Sequence, residues 1–174
     1  MKVIMLAVMS TNGKITDGSD PDIYKWTSPE DQDFFFGKIR DSKLIVIGSK
    51  TYDAMKDRLR KDAGRLRIVV TKNPGKYAAE QIDGVLEFRS DTPAKLVESL
   101  STYDEMILAG GSAIYTSFAK EGLIDEIYLT IEPKVFGDGK PLFADDNFKL
   151  NLKLASTEKL NDNGTILLKY IVEK

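Results

Sequence analysis

Residues 105–115 combine a short apolar run with a glycine pair and the start of a predicted helix. Gly110 and Gly111 lack a Cβ atom, so the backbone can approach a ligand closely at this junction. The free N–H groups at the beginning of a helix carry partial positive charge and favour phosphate. The junction therefore predicts an anion-binding site. On these residues alone, a plain turn between strand and helix is an equally weighted alternative.

Asp31 is the second candidate for chemistry. Ser28-Pro29-Glu30 before it marks a helix start, and Phe35 and Ile39 follow at i+4 and i+8 on the face expected to turn inward. A carboxylate in an apolar cleft can accept paired hydrogen bonds from a heterocycle, and desolvation raises its pKa towards neutrality. The commoner role of such an acid is to offset the helix dipole. Trp26 shifts the balance towards chemistry, because an indole adds an N–H donor and a flat apolar wall.

Two further strand ends carry lysine and hydroxyl groups. Gly48-Ser49-Lys50-Thr51 follows one apolar run, and Thr71-Lys72 follows the next. A site selective for NAD usually presents an acid to the ribose, whereas the 2′-phosphate of NADP needs cations and donors. The two lysines therefore indicate NADP, against the alternative of two solvated surface lysines. The chain has no G-x-G-x-x-G motif, so a conventional Rossmann fingerprint is absent.

Composition narrows the class of protein. The chain has 174 residues, with 25 basic and 27 acidic side chains and a net charge of −2, which argues against a nucleic-acid partner. It has no cysteine and no histidine, which excludes Cys-His, Ser-His-Asp and zinc-hydrolase mechanisms, and we expect no metal. We interpret residues 3–9 as a buried strand rather than a signal peptide. No apolar run reaches the roughly 20 residues of a membrane span. The expectation is a cytoplasmic protein acting on a small molecule.

The order of predicted elements indicates how these residues are positioned. Apolar runs at 3–9, 44–47, 66–70, 85–88, 106–108 and 126–131 predict strands, and helical periodicity covers 29–39, 51–59, 93–100 and 113–120. This alternation predicts a single α/β domain, residues 1–174, with a mostly parallel sheet between helices on both faces. Residues 152–160 and 165–172 flank Asn161-Asp162-Asn163-Gly164 and predict an antiparallel C-terminal hairpin.

A set of residues along the chain keeps the order and spacing of one known family: Trp26, Pro29, Asp31, Phe35, Gly48, Lys50, Thr51, Gly64, Arg65, Thr71, Gly110, Gly111, Tyr115, Tyr128, Leu129, Thr130, Gly137 and Asp138. On these positions, and over nearly its whole length, the chain resembles dihydrofolate reductase and its relatives, the pyrimidine reductases of riboflavin synthesis. Residues 10–15 and 137–143 are more similar to the riboflavin-pathway enzymes, while Gln32 and Ala109 depart from the folate enzymes and imply a wider, more polar pocket.

The resemblance implies roles for individual residues. Asp31 binds the pterin ring and supports its protonation, the Thr130 hydroxyl bridges to the same carboxylate, and Trp26 holds a water. Arg65 forms a forked pair with the α-carboxylate of the glutamate tail. Substrate-binding positions are Leu6, Val8, Phe35 and Arg65. NADPH-binding positions are Ile15, Gly48, Ser49, Lys50, Thr51, Thr71, Lys72, Gly110, Gly111, Ser112, Ala113, Ile114 and Tyr115. The Gly110–Gly111 peptide is expected to be cis, and residues 16–25 are expected to form a mobile lid, with an ordinary surface loop as the alternative.

The leading hypothesis is an NADPH-dependent oxidoreductase that converts 7,8-dihydrofolate to tetrahydrofolate, an activity of one-carbon metabolism. The alternative is an NADPH-dependent reductase of a ribosylamino-pyrimidinone phosphate in riboflavin biosynthesis. A third hypothesis, from another class, is a nucleotide-binding module without turnover. The resemblance leaves a monomer and a homodimer both open.

Overall fold

The computed structural model describes all 174 residues, which form one eight-stranded sheet and four α-helices. The strands are β1 (Lys2–Ser10), β2 (Leu44–Gly48), β3 (Leu66–Val70), β4 (Leu86–Arg89), β5 (Glu105–Leu108), β6 (Glu126–Glu132), β7 (Asn151–Lys159) and β8 (Ile166–Glu173). The helices are α1 (Pro29–Asp41), α2 (Ser49–Met55), α3 (Pro93–Ser99) and α4 (Ser112–Lys120).

The sheet has the strand order β4-β3-β2-β5-β1-β6-β8-β7. Strands β1 to β6 are parallel to one another, whereas β8 runs antiparallel to both β6 and β7. The predicted α/β class, with a mostly parallel sheet and an antiparallel C-terminal hairpin, is confirmed. In the hairpin turn, Gly164 has a φ of +100°, a conformation that favours glycine.

Helices cover both faces of the sheet. The connections through α1 and α2 lead towards β4, whereas those through α3 and α4 lead back towards β6. Because parallel crossovers are right-handed, the two pairs of helices lie on opposite faces. The packing agrees: Phe35 and Tyr52 contact one apolar core, and Leu96 and Phe118 belong to the other. The direction of the connections therefore reverses between the neighbouring strands β2 and β5.

Helix α1 begins at the predicted residue because its first turn satisfies its own backbone. The Ser28 hydroxyl accepts a hydrogen bond from the Asp31 amide at 3.2 Å. Pro29 occupies the first helical position, where no N–H donor is needed. Glu30 and Asp31 place negative charge at the positive end of the helix dipole. This start fixes the position of Asp31 relative to the sheet.

Helix α2 is shorter than predicted. The sequence pattern predicts a helix over 51–59, but α2 ends at Met55 and a 3₁₀ turn, Lys56–Arg58, follows. Met55 has φ −123° and ψ 0°, outside the α-helical region, so the chain turns early. The turn brings Arg58 and Leu59 to the wall of the cavity described below. None of the helices is long and apolar enough to cross a membrane.

Candidate active site

Asp31 is the one buried residue of helix α1, with only 4% of its surface exposed. Removal from water is the main cause that raises the pKa of Asp31 to about 6; the nearby Thr130 hydroxyl opposes the rise, and the charge of Glu132 adds to it. A carboxyl group with this pKa exchanges its proton near neutral pH. That is the property required of a general acid or base.

Strands β1 and β6 form the wall opposite Asp31. Val8 pairs directly with Thr130, and Leu6 lies two residues before Val8 on the same face. All three residues are buried, and Leu6 belongs to the apolar core that Phe35 contacts from α1. The structure thus brings Leu6, Val8 and Thr130 to the sheet face that α1 covers, while their roles in substrate binding and protonation stay predictions.

Glu132 is a second buried acid next to this wall, with 2% of its surface exposed. One carboxylate oxygen accepts a hydrogen bond from the Ser28 amide at 2.6 Å, and the other accepts one from the Thr165 hydroxyl at 2.8 Å. Glu132 is not among the residues predicted from the sequence. A charged residue that ends an apolar strand and precedes a proline is the signal that could have found it.

Trp26 is buried beside the start of α1 and is 6% exposed. Its ring packs edge-on against Phe136, with ring centroids 5.2 Å apart. The indole Nε1 has no hydrogen-bond partner in the protein. Because an unpaired buried donor is costly, this N–H is suited to a water or to a polar ligand atom. The expected role of Trp26 in holding a water beside Asp31 stays a prediction.

The ends of β2 and β5 form a tight glycine cradle, which we define as Gly48, Gly110 and Gly111. The Gly48 amide donates to the Gly110 carbonyl at 2.8 Å. A Cβ atom on Gly111 would lie 3.2 Å from Thr51 Oγ1, and one on Gly48 would lie 3.2 Å from Ile114 Cγ1. Gly110 has a φ of +110°, and its peptide bond to Gly111 is cis, as expected. Larger residues would displace their neighbours here.

Two helices begin at the glycine cradle without a capping side chain. Gly48 precedes α2 and Gly111 precedes α4, and neither supplies a side-chain acceptor to the first N–H groups. Open α/β sheets bind ligands outside the carboxyl ends of the strands, where the direction of the connections reverses. The cradle lies at that point. The residues predicted to hold NADPH in or beside the first turns of these helices are Ser49, Lys50, Thr51, Ser112, Ala113, Ile114 and Tyr115.

The two predicted phosphate lysines lie at the same edge of the sheet. Lys50 is in the first turn of α2, and Lys72 follows Thr71 at the end of β3, the neighbour of β2. Both lysines are exposed, and neither forms an ion pair within the chain. They are therefore available to a phosphate group, although their role in binding NADPH stays a prediction.

Tyr115 and Ser112 tie the start of α4 to the surrounding structure. The Tyr115 hydroxyl is buried and donates to the Leu6 carbonyl at 2.7 Å. The Ser112 hydroxyl donates to the carbonyl of Pro141. The Ile15 amide donates to the Lys140 carbonyl at 2.8 Å. The loop that contains Ile15 is thereby held close to α4 through residues 140–141.

The predicted lid, residues 16–25, is bonded to that same segment. The Thr16 hydroxyl accepts a hydrogen bond from the Lys140 amide at 2.9 Å, and the Gly18 amide donates to the Asp138 carbonyl at 3.1 Å. Only glycine fits at position 139, because a Cβ atom there would lie 2.2 Å from the Thr16 carbonyl oxygen. Opening and closing of the loop stays a prediction.

A cavity of about 660 Å³ lies between α1, the end of α2 and the sheet. Its apolar wall includes Phe35 and Ile39 from α1, Ile45 and Ile47 from β2, and Ala109 after β5. Its charged residues are the acid Asp62 and five arginines, Arg40, Arg58, Arg60, Arg65 and Arg67. An apolar pocket with such an excess of guanidinium groups is suited to a flat ring that bears a phosphate or carboxylate.

Arg65 lines the cavity, as the predicted contact with a substrate carboxylate requires, but all three of its nitrogens already donate within the protein. Its acceptors are the Ser42 and Arg40 carbonyls, at 2.9 and 2.8 Å, and the Asp62 carboxylate at 2.9 Å. Part of its hydrogen-bonding capacity is therefore used before any substrate binds.

Arg67, which the sequence analysis missed, is only 6% exposed and donates a single hydrogen bond, to the Arg60 carbonyl at 3.1 Å. It pairs with Ile45 across β2 and β3, so its side chain emerges on the face of the cavity. Burial, and then the charge of Arg65, lowers the pKa of Arg67. A charged residue within an apolar strand was the available signal. A buried cation without a carboxylate partner is the natural contact for an anionic ligand.

A parallel-sheet domain with a glycine cradle where the connections reverse, and with a buried acid on a helix that also lines an apolar cavity, is typical of the dihydrofolate reductase-like superfamily. The chain belongs to the RibD C-terminal domain family, whose model matches residues 1–166. This membership confirms the resemblance and supports an oxidoreductase activity.

The chain is similar to further proteins over part or all of its length. It is 35% identical over 92 residues to the uncharacterized protein YyaP of Bacillus subtilis (strain 168), a match covering 52% of this chain and 48% of that relative, about half its length. A pyrimidine reductase-like protein of Corynebacterium diphtheriae superposes with a TM-score of 0.77 at 18% identity, covering 99% and 92% of the two chains. Dihydrofolate reductase of Enterococcus faecalis complexed with NADP(H) gives 0.72 at 20% identity, covering 99% and 97%.

Proposed function

We propose that the chain is an NADPH-dependent reductase of a ribosylamino-pyrimidinone phosphate, the substrate class of riboflavin biosynthesis. The observation that carries this proposal is the cavity with the buried Arg67 and four further arginines at an apolar wall. Membership of the RibD C-terminal domain family supports the same substrate class over dihydrofolate, the leading hypothesis from sequence.

The apolar wall of the cavity accommodates the pyrimidinone ring. Phe35 and Ile39 on one side and Ile45 and Ile47 on the other provide flat, water-excluding contacts. The phosphate then lies against the arginines. Arg67 is the strongest anchor among them, because its charge is already out of water and has no carboxylate partner.

Reduction of a ribosylamino group adds a hydride to the anomeric carbon as the bond to the ring oxygen breaks, and that oxygen then takes up a proton. NADPH supplies the hydride when bound. Asp31 is assigned the proton, since its pKa of about 6 leaves a useful fraction protonated near neutral pH. Thr130, on β6, is assigned the role of orienting this carboxyl group.

The residues at the carboxyl edge of the sheet fit a dinucleotide phosphate. The glycine cradle allows close approach, the uncapped starts of α2 and α4 offer N–H donors, and Lys50 and Lys72 supply charge for a 2′-phosphate. Each of these contacts to NADPH is part of the proposal.

Dihydrofolate is the second candidate substrate, and a specific arrangement favours it. Asp31 and Thr130 are both buried and Thr130 influences the Asp31 carboxyl, and a buried acid is suited to binding and protonating a pterin. Against it, Arg65, which would grip the glutamate tail, is already bonded to Ser42, Arg40 and Asp62.

The test follows NADPH absorbance with each substrate in turn. We expect oxidation of NADPH with the ribosylamino-pyrimidinone phosphate and a much lower kcat/KM with dihydrofolate. The dephosphorylated pyrimidinone riboside serves as the matched control and should lose most of the kcat/KM. If only dihydrofolate is turned over, the second candidate substrate replaces the proposed one. If NADPH binds and neither substrate is turned over, the chain is a nucleotide-binding module without this reductase activity.

A further inference from the structure

Two buried acids lie on the same side of the sheet at the start of α1. Asp31 is 4% exposed and Glu132 is 2% exposed, and neither forms an ion pair with a lysine or arginine. Thr130 and Glu132 are two residues apart on β6, so both side chains point to the face that α1 covers. The reaction proposed above uses only Asp31 and leaves Glu132 without a role.

We propose that Glu132 is a positioning residue that keeps Asp31 in its proton-carrying form by holding a second negative charge beside it. The inference rests on the proposed function, since it assigns Glu132 a part in the protonation step. It concerns the electrostatics of the pair, so it can also be tested without any substrate.

The hydrogen bonds of Glu132 identify it as the charged member of the pair. Both of its oxygens accept hydrogen bonds, one from the Ser28 amide and one from the Thr165 hydroxyl. The direction of the second bond is set by Asn161, whose side-chain amide donates to Thr165 Oγ1 at 3.0 Å and leaves the hydroxyl proton for Glu132. A carboxylate held by two donors is a fixed negative charge.

A second cavity gives the buried Glu132 a polar surrounding. This cavity, of about 370 Å³, is lined almost wholly by polar residues, among them Glu132, Thr27 and Asn161. A polar surrounding reduces the cost of keeping a charge out of bulk water. Asp31 is not part of that lining, so the two acids differ in environment: one faces polar groups and the other is enclosed.

No other charged group competes for Asp31. Glu30 and Asp33 on the same helix are exposed, as are Lys25 and Lys134 at the second cavity, so solvent screens them. Glu132 is the charge that acts on Asp31, and it raises the pKa of that carboxyl. Its position is set by contacts with α1 and with the hairpin turn at residues 161–165.

The experiment compares Glu132→Gln with Glu30→Gln, a control that removes an exposed charge from the residue next to Asp31. The Asp31 carboxyl is titrated by carbon-13 NMR in each protein, and kcat is measured against pH with the best substrate. We expect E132Q to lower the Asp31 midpoint by about half a pH unit or more and to move the alkaline loss of kcat by the same amount. E30Q should leave both midpoints unchanged.

Thr165→Val distinguishes loss of the Glu132 charge from loss of its hydrogen bonds, because this variant removes one hydrogen bond of Glu132 and keeps the carboxylate. It should not lower the Asp31 midpoint. If E132Q does not fold, the wild-type protein still provides the test: a coupled pair shows a second inflection in the Glu132 signal at the pH where Asp31 titrates.

An unchanged Asp31 midpoint in folded E132Q, or the absence of that inflection where E132Q does not fold, would overturn the inference. A lowered midpoint in a protein that reduces neither substrate would support the coupling and reject the proposed function. The two failures are therefore distinguishable.

Discussion

The amide of Gly48 donates a 2.8 Å hydrogen bond to the carbonyl of Gly110, and this bond joins the ends of β2 and β5. From these two ends the chain leaves for opposite faces of the sheet, through α2 and α4. The bond thus places two uncapped helix starts side by side. It is the structural basis for assigning the coenzyme phosphates to this edge.

Gly111→Ala should weaken NADPH binding by about tenfold, or about 1.4 kcal/mol. The new Cβ atom would lie 3.2 Å from Thr51 Oγ1 and would narrow the cradle. Gly64→Ala is the matched control, since a Cβ atom there meets nothing within 4 Å. Fluorescence titration with NADPH measures both dissociation constants. Equal affinity in the two variants would move the coenzyme site away from the cradle.

Arg67→Gln should raise KM for the phosphorylated substrate at least about tenfold and should not lower the stability of the free protein. The reason is that Arg67 is a buried cation with no carboxylate partner, so its charge costs folding free energy that ligand binding recovers. KM and the urea midpoint are the two measurements. Arg89→Gln, which alters an arginine paired with Glu87 on β4, should leave KM unchanged. A destabilised R67Q with normal KM would indicate a purely structural arginine.

Asp31→Asn should remove one component of the pH dependence of stability. The folded-state pKa of about 6 lies above the ordinary value of 3.8, so the folded protein binds this proton more tightly than the unfolded chain does. The contribution of Asp31 to the free energy of unfolding is therefore fully present below about pH 4 and is lost as the pH rises through 6. The loss amounts to at most about 3 kcal/mol. Urea unfolding at several pH values gives the difference between wild type and D31N. A difference that does not change between pH 4 and pH 8 would contradict the raised pKa.

Arg65→Leu distinguishes the two candidate substrates by its effect on KM. If dihydrofolate is the substrate, the variant should raise KM for dihydrofolate far more than KM for NADPH, because the glutamate tail loses its fork. If the phosphorylated pyrimidinone is the substrate, Arg67→Gln should have the larger effect on KM. Steady-state kinetics with Arg65→Leu and Arg67→Gln shows which substitution has the larger effect on the KM of each substrate.

Much of the fold could be predicted because the strands of a buried parallel sheet are continuous apolar runs. The hairpin of β7 and β8 was predictable from its turn, whose Gly164 adopts a positive φ. The end of α2 was not, because the helical pattern continues to Leu59 while the backbone leaves the helix at Met55. Hydrophobic periodicity in the sequence does not indicate where tertiary packing ends a helix.

Site residues could be predicted where the features that mark them lie in one segment of the sequence. They could not be predicted where the marking contacts join segments that are distant in sequence. Asp31 stands out because a helix start and an inward face are both local features. Glu132 escaped notice because its contact with Ser28 spans 104 positions in sequence. Arg67 was missed for another reason: its burial without an ion pair becomes visible only once the neighbours of β3 are known.

In the proposed reaction, Asp31 acts in the reduction and not in coenzyme binding. The decisive experiment is single-turnover oxidation of bound NADPH by the phosphorylated pyrimidinone, compared between wild type and Asp31→Asn. We predict that the variant loses at least about a hundredfold in rate, within the range for removal of a general acid, while its NADPH dissociation constant stays within about twofold. Equal rates in the two proteins would show that Asp31 does not supply the proton.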